Sequence, residues 1–346
     1  MESGSVSGFN AALTNLAEVA KEEGSEGLTD AVRRLTPLLP GLAGDFAVTA
    51  VLAGALVEWG GSPLPLVDVL PRRATEAMML NAAVPSLWES ATRGRPLPEP
   101  ESANLSELVR ALTRRPWYRR SIDESKKEDL IRVSMAWFDM EDWLKSLIAV
   151  MVDDEFRSAV PDKVKAELCQ YAATVSERSQ RATWVAVLAN VLDGEQVLVV
   201  DPDSRRGYVL TMSGISDNGQ LYILLADRLI GDPGDGWVAG IRPSPQWVDA
   251  ATSGSPYLTS SAPARTSFTI LDGYGNEVSA DGVPADITLL NGVRVLVLSP
   301  VRRQYVLNAG RMFERMRPTL SLKGILQPAE TAEWFARLPP SITNET

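Results

Sequence analysis

The stretch "ANVLDGEQVLVVDPDSRRGYVLTMSGI", residues 189–215, marks a change in secondary structure along the chain. Before Gly194 the apolar residues recur at helical spacings. After it, short runs of Val, Ile, Leu and Tyr alternate with turn residues, as is typical of strands. We therefore predict an α+β protein with a helical domain, residues 1–193, and a mostly antiparallel β domain, residues 194–346, that ends in a short helix.

The sequence after the change predicts a three-stranded meander of "QVLVV", "GYVLTMSGI" and "QLYILLADRLI". The last two strands would be joined by a tight turn at "DNG", residues 217–219. A 36-residue loop, Gly231–Thr266, follows. Loops of that length usually carry function or hidden structure, so this loop could line a cleft. Strands resume with "SFTILD", "ADITLL" and "VRVLVLSP", with a turn at Asn291-Gly292.

The clearest predicted helix of the first domain starts at the capping box Ser121-x-x-Glu124. Its apolar residues recur at alternating spacings of three and four and form one seam: Leu130, Val133, Trp137, Met140, Leu144, Leu147 and Met151. A second stripe of Ile131, Met135 and Phe138 lies on another face. We expect a helix that is apolar on two sides to be central to its domain.

Composition excludes several classes of chemistry. The chain has 346 residues, a net charge of −10, no histidine and one cysteine. The missing histidine excludes Ser-His-Asp and Cys-His nucleophile pairs and the usual histidine sites for zinc and haem. One cysteine cannot build an iron–sulfur site or an internal disulfide. We predict no metal site and no cofactor, and the acidic balance does not favour nucleic-acid binding.

The sequence predicts a cytoplasmic protein without membrane contact. The N-terminus lacks the basic segment and apolar core of a secretory signal. The most apolar stretch, Leu42–Trp59, has only 12 uncharged residues between Asp45 and Glu58. That is short of the ~20 residues that cross a bilayer. A lone cysteine also suits a reducing compartment.

The stretch "VRRQYVLNAGRMFERMRP", residues 301–318, gathers five arginines and one acid in an otherwise acidic chain. A guanidinium presents a rigid donor fork to phosphate, sulfate or carboxylate. The candidate anion-binding residues are Arg302, Arg303, Arg311, Arg315 and Arg317. The alternative is a solvated or internally paired face, because the whole chain prefers Arg to Lys by 27 to 7.

Two carboxylates are candidates for moving a proton. Asp142 continues the Ile131–Phe138 stripe of the central helix, at the end of the acid group Asp139, Glu141 and Asp142. Partial burial there would raise its pKa, as a general acid or base requires. Asp227 is the second candidate. The alternative for Asp142 is that the stripe reaches solvent there or that an arginine pairs with it.

Weaker candidates have ordinary structural explanations. Asp201 and Asp203 follow an apolar strand and could hold Mg²⁺, but Asp, Pro, Ser and Gly also make common turns. Asp232 and Asp235 are similar and weaker. The cluster "RALTRRPWYRR", residues 110–120, mixes arginine with aromatic residues, as proteins that bind single-stranded nucleic acid do. Acidic residues follow it directly in the sequence, so the alternative is that its arginines pair with them.

Ser213 and Cys169 are two further nucleophile candidates in this chain without histidine. A serine nucleophile would need a lysine base, and nothing in the sequence ties one to Ser213. Cys169 lies beside the apolar seam of its predicted helix. A small buried core cysteine is the default for such a position.

The segments "SMAWFDMEDWLKSL", "GYVLTMSGISDNGQLYILLA" and "AGRMFERMRP" resemble a group of uncharacterised actinobacterial proteins. The resemblance implies a bacterial origin and a role in specialised metabolism or as an accessory protein, and it brings no site residues. Two hypotheses stay open. One is a histidine-free enzyme or enzyme subunit that acts on a small anionic molecule by elimination, cyclisation or group transfer. The other is a non-catalytic protein whose arginines meet an acidic protein partner, as an oligomer or in a hetero-complex.

Overall fold

The backbone hydrogen bonds change from a helical to a strand pattern between Ala189, where a helix ends, and Glu195, where the first strand begins. The computed structural model describes residues 3–101, 104–113, 124–253, 264–301, 306–307 and 311–340. Its internal contacts divide the chain into two units, Met1–Ala189 and Asn190–Thr346. The division falls four residues before the boundary that the sequence predicts.

Helices build the described part of the first unit, and short 3₁₀ turns join several of them. The helices are α1 (Ser3–Glu22), α2 (Gly24–Leu35), α3 (Val48–Glu58), α4 (Leu70–Thr92), α5 (Leu105–Thr113), α6 (Glu124–Met151), α7 (Asp154–Ala159), α8 (Asp162–Val175) and α9 (Gln180–Ala189). Helices α3, α4, α5 and α9 all pack against α6. The helix with the predicted seam is therefore central, as expected.

The seam of α6 is confirmed. Its residues are buried apart from Leu130, which is half-buried. The buried arc is wider than the seam, since Trp143 and Asp139 are buried as well. The reason is that α6 has packing partners on several sides. The predicted capping box begins at Ser121, which lies outside the described residues.

The described part of the second unit combines strands with three helices. They are, in chain order, β1 (Glu195–Asp201), β2 (Arg206–Ser213), α10 (Asn218–Leu229), α11 (Pro245–Thr252), β3 (Ala264–Arg265), β4 (Thr269–Asp272), β5 (Arg294–Ser299), β6 (Val306–Leu307), β7 (Thr319–Ile325) and α12 (Pro328–Phe335). Five strands form one sheet in the order β4-β5-β1-β2-β7, and β3 pairs with β6. Only β1 and β5 are parallel among these described pairs. The α+β prediction, with a mostly antiparallel second half and a short C-terminal helix, is confirmed.

The predicted meander is wrong in its third strand. Strands β1 and β2 pair as expected, but "QLYILLADRLI" forms most of α10. The Asp217 carboxylate accepts a hydrogen bond from the Gln220 N–H at 2.8 Å, so "DNG" starts a helix instead of turning a hairpin. Strand β7 takes the vacant place beside β2. The segment "ADITLL" is also not a strand, since it begins in a 3₁₀ turn at Pro284–Asp286.

The two faces of the sheet bury different residues of the same strands. In β1, Val197 and Val199 pack with the apolar side chains of α10, whereas Leu198 and Val200 pack with those of α12. This alternation is the two-residue period of a strand. The described part of the second unit therefore has a layer of helix on each side of its sheet. No helix in the described ranges is both long and apolar enough to cross a membrane.

Candidate functional site

The ends of two parallel strands meet in the second unit. Strand β1 ends at Asp201 and β5 ends at Ser299, and parallel strands place their carboxyl ends at the same edge of a sheet. Strand β4 runs in the opposite direction to β5, so Phe268, which precedes β4, lies at this edge too. A cavity of about 300 Å³ opens here.

The inner wall of the cavity is apolar. Val238, Phe268 and Leu298 line the cavity, and each is buried in the protein. The indole of Trp237, which is half-buried, adds a second aromatic ring. Such walls are typical of small-molecule sites, in which a few polar groups orient the ligand.

The polar groups of the cavity are hydroxyls and carboxylates. Three half-buried hydroxyls come from Ser204, Ser267 and Ser299. Asp203 is exposed, whereas Asp201 is only 6% exposed. The Asp201 carboxylate accepts hydrogen bonds from the Ser204 hydroxyl at 2.6 Å and from the Asp203 N–H at 3.3 Å. Asp201 therefore fixes the β1–β2 turn while one side of it faces the cavity.

The loop that follows α10 supplies a wall of the cavity, as the sequence suggested for the segment Gly231–Thr266. Tyr208 of β2 holds this loop: its hydroxyl donates to the Gly236 carbonyl at 2.8 Å, and its ring stacks on Trp237 with centroids 6.4 Å apart. Burial raises the pKa of Tyr208, so its phenol stays protonated and keeps donating. Gly236 has φ +84°, and a Cβ there would lie 1.9 Å from the Arg206 guanidinium carbon. Only glycine fits that contact without rearrangement.

The Asp201–Asp203 pair was also a candidate for Mg²⁺. Across the described part of the chain, no group of three or more acidic or cysteine side chains is placed to hold a metal ion. The hydrogen bonds of Asp201 instead correspond to the turn interpretation. Asp232 likewise caps a short 3₁₀ turn, because its carboxylate accepts from the Gly234 N–H at 2.8 Å.

Arg311 is not arranged to meet a ligand. The residue is 5% exposed, and its guanidinium donates to the carbonyls of Ala250 at 3.0 Å and Glu314 at 3.1 Å. The Ala250 carbonyl belongs to the last turn of α11, where carbonyls lack a partner within the helix. Burial lowers the pKa of Arg311. This predicted anion-binding residue thus supports the end of a helix.

Of the other arginines of the cluster, the structure describes Arg315 and Arg317. Arg317 is exposed and donates to the Glu314 carbonyl at 2.7 Å. Arg315 is exposed as well, and neither residue lines the cavity. The segment from 311 to 318 forms turns and no helix, so Arg311 and Arg315 do not lie one turn apart on a common helical face. Arg302 and Arg303 lie outside the described residues, and their role stays a prediction.

The two predicted catalytic carboxylates belong to different units, and neither lines the cavity. Asp142 is half-buried on α6, and burial raises its pKa, as the sequence led us to expect. Asp227 lies on α10 beside Arg242 and Arg228, at 3.8 and 3.9 Å. Arg242 also donates to the Asp227 carbonyl at 2.7 Å. This is a surface ion pair, and its catalytic role stays a prediction.

The sequence singled out Asp142, but the neighbouring Asp139 is the more unusual acid. It is 4% exposed and accepts a hydrogen bond from the Gly44 N–H at 2.7 Å. Burial raises its pKa from 3.8 to about 6, against the opposing effects of that bond and of the nearby Arg73. Trp143 lies one turn further on, and its indole N–H also lowers the pKa of Asp139, although less than burial raises it.

Two of the remaining candidates, Ser213 and Cys169, make ordinary contacts with backbone groups. The Ser213 hydroxyl accepts from the Gly194 N–H at 2.8 Å, and the Cys169 thiol is half-buried, 3.9 Å from the Ala186 carbonyl. Most of the cluster at 110–120 lies outside the described residues. A second cavity, of about 440 Å³, lies between α1 and α3 and is lined mainly by apolar residues.

Comparison with protein-family models, with curated proteins and with solved structures gives no significant match.

Proposed function

We propose that the second unit binds a small polar molecule in the cavity at the carboxyl ends of β1 and β5. The observation that carries this proposal is the cavity itself, with an apolar inner wall and polar groups from three separate segments. The volume of about 300 Å³ is at the lower end of the range for small-molecule sites. Carboxyl ends of parallel strands are a frequent place for ligands, because loops of different strands converge there.

The wall is held in place before a ligand arrives. The Tyr208 hydrogen bond and the stacking of the Tyr208 ring on Trp237 both hold the loop that contributes Trp237. A site that is already formed does not spend binding free energy on ordering a loop. This supports binding of a small molecule over docking of a flexible peptide.

Ligand-observed NMR with small alcohols, amines and carboxylates of up to about ten heavy atoms tests the proposal. Ala239 is exposed and lines the cavity, so Ala239→Trp fills the mouth without removing a core contact. We expect saturation transfer to at least one probe in the wild type and its loss in Ala239→Trp. The matched control is Ala332→Trp, at an exposed position of α12 that does not line the cavity. Equal signals in both variants would overturn the proposal.

The finer hypotheses drawn from the sequence are further proposals. An enzyme that acts on a small anion would depend on Arg302 and Arg303, because the described cavity wall presents carboxylates and no arginine. A non-catalytic accessory role would use the exposed Arg315 and Arg317 to meet an acidic protein partner. Composition and the resemblance stated above support the proposals of a cytoplasmic location and of a role in bacterial specialised metabolism. Affinity capture from the native host tests whether the protein has an acidic protein partner.

A further inference from the structure

The charges around the cavity indicate which class of small molecule it would accept; this inference rests on the proposed function. Asp201 and Asp203 both line the cavity, and no lysine or arginine lines its described wall. Both carboxylates lie beside low-dielectric apolar surface, where a field of one sign is focused. An anionic ligand would be repelled there, and a cation would be attracted.

Of the two arginines that follow in the sequence, Arg205 is directed away from the cavity, whereas Arg206 lies behind the loop that forms its wall. The guanidinium of Arg205 lies 5.9 Å from the ring centroid of Phe335, on the side of the sheet that α12 covers. The guanidinium of Arg206 is packed against the backbone of Gly236. Neither side chain lines the cavity. Arg206 is the cross-strand partner of Asp201, so of these two arginines only Arg205 is placed apart from the acids of the turn "DPDSRRG".

The aromatic residues reinforce this preference. Trp237 and Phe268 line the same cavity, and the face of an aromatic ring attracts a cation through its quadrupole, most strongly for tryptophan. Asp232 and Asp235, in the loop that carries Trp237, add further negative charge around Pro233 at the exposed part of the wall. The apolar inner wall would accept the carbon portion of the ligand.

We infer that the cavity binds a small organic cation, an amine or a quaternary ammonium, between the carboxylate of Asp203 and the indole of Trp237. Asp201 contributes charge while it holds the turn, since a carboxylate has about four acceptor positions and the turn does not use them all. The three serine hydroxyls would orient polar groups on the rest of the ligand.

The test compares choline with 3,3-dimethylbutan-1-ol, a neutral molecule of nearly the same shape, by titration in ligand-observed NMR at low ionic strength. We expect choline to bind about ten-fold tighter, since a cation over an aromatic face is the main difference. Asp203→Asn should weaken choline binding by about three- to five-fold and leave the neutral probe unchanged. Asp203 is exposed, so its replacement should not unfold the protein.

Asp235→Asn is the matched control, because Asp235 is an exposed acid of the cavity-forming loop that does not line the cavity. If Asp235→Asn weakens choline binding less than Asp203→Asn does, a specific contact with Asp203 is supported. If both variants weaken it equally, the assignment of Asp203 is overturned. Binding of the neutral probe that equals or exceeds binding of choline overturns the cation inference and leaves the proposed function standing. If neither probe binds but a small carboxylate does, and Ala239→Trp abolishes that binding, the cation inference also fails. If no probe is sensitive to Ala239→Trp, the proposed function fails with it.

Discussion

At the scale of single residues, buried arginines of this chain serve its backbone. Arg311 donates to carbonyls in the last turn of α11, and Arg157, which is 1% exposed, donates to the Met151 carbonyl at the end of α6 at 2.7 Å. Arg294 is also buried and donates to the Pro284 carbonyl at 2.9 Å. A guanidinium has five donors and no acceptor, so it suits places where several carbonyls lack partners. Part of the preference for Arg over Lys therefore has a structural use.

Replacing Arg311 separates a structural role from a ligand-binding one. Arg311→Ala leaves the buried carbonyl of Ala250 without this donor, whereas the Glu314 carbonyl keeps its bond from Arg317, and we expect a loss of about 1–3 kcal/mol in the free energy of unfolding. Urea denaturation measures it. Arg315→Ala, at an exposed position of the same segment, should change stability little. Unchanged stability in Arg311→Ala, together with lost binding of an anion such as sulfate, would favour the role that the sequence predicted.

Asp139 should make the stability of the first unit depend on pH. Its pKa is about 6 in the folded protein and 3.8 when unperturbed, so the native state holds the proton more tightly than the unfolded state. Its contribution is fully present below pH 3.8 and is lost as pH rises to about 6. Two pKa units correspond to about 3 kcal/mol.

Asp139→Asn removes this titration and keeps an oxygen that can accept from the Gly44 N–H. We expect the variant to be more stable than the wild type by about 1–3 kcal/mol at pH 7, since part of the gain is offset by the lost attraction to Arg73. The advantage should vanish near pH 4. Urea denaturation at a series of pH values checks it, with Glu128→Gln, an exposed acid of α6, as control. A difference that does not vary with pH would contradict the assignment.

At the scale of elements, α10 shows how a buried helix can resemble a strand. All residues from Asn218 to Ala226 are buried, so the segment has no polar face and no helical period to read. Its apolar run and the preceding "DNG" are equally typical of a strand after a hairpin turn. Tertiary contacts decide between them: the Asn218 N–H donates to the Gly282 carbonyl at 2.8 Å, and its amide donates to the Ser279 carbonyl.

The start of α10 should depend on the oxygen of Asp217 and not on its charge. Asp217→Ala removes the acceptor of the Gln220 N–H and should cost about 1–2 kcal/mol in the free energy of unfolding. Asp217→Asn keeps an acceptor and removes a carboxyl whose pKa burial raises, so at pH 7 it should equal or exceed the wild type in stability. Thermal denaturation of both variants checks the pair. An Asn variant as unstable as the Ala variant would mean that the negative charge itself caps the helix.

At the scale of the whole molecule, each unit has its own hydrophobic core. The described part of the first unit is organised around α6, and the second has a core on each face of its sheet. Both units are within the usual size range of a domain. The division between Ala189 and Asn190 cuts no helix or strand of the described chain.

The fragments 1–189 and 190–346 should therefore fold separately. We expect each to unfold cooperatively, the first with a helical circular dichroism spectrum and the second with a mixed one. The second fragment alone should keep the saturation transfer to small probes that the cavity predicts, since all the described residues that line the cavity belong to it. Circular dichroism and the NMR titration test both points. A second fragment without a cooperative transition would show that the units depend on each other.

Local information in the sequence determined the α+β class, the change of secondary structure near Asp193, the seam of α6 and the turn at Asn291-Gly292, where both φ values are positive. These features depend on spacing and backbone preference within a few residues. Only the tertiary structure decided that α10 is a helix and that Arg311 donates to a carbonyl in the last turn of α11. It also decided that Asp139, and not Asp142, is the deeply buried acid. It also assembled the cavity, because Asp201, Trp237 and Ser299 are brought together by strand order and loop packing. Contacts between residues far apart in the chain produce no periodic pattern in the sequence. For this reason the sequence predicted single residues of the candidate site but not how they come together.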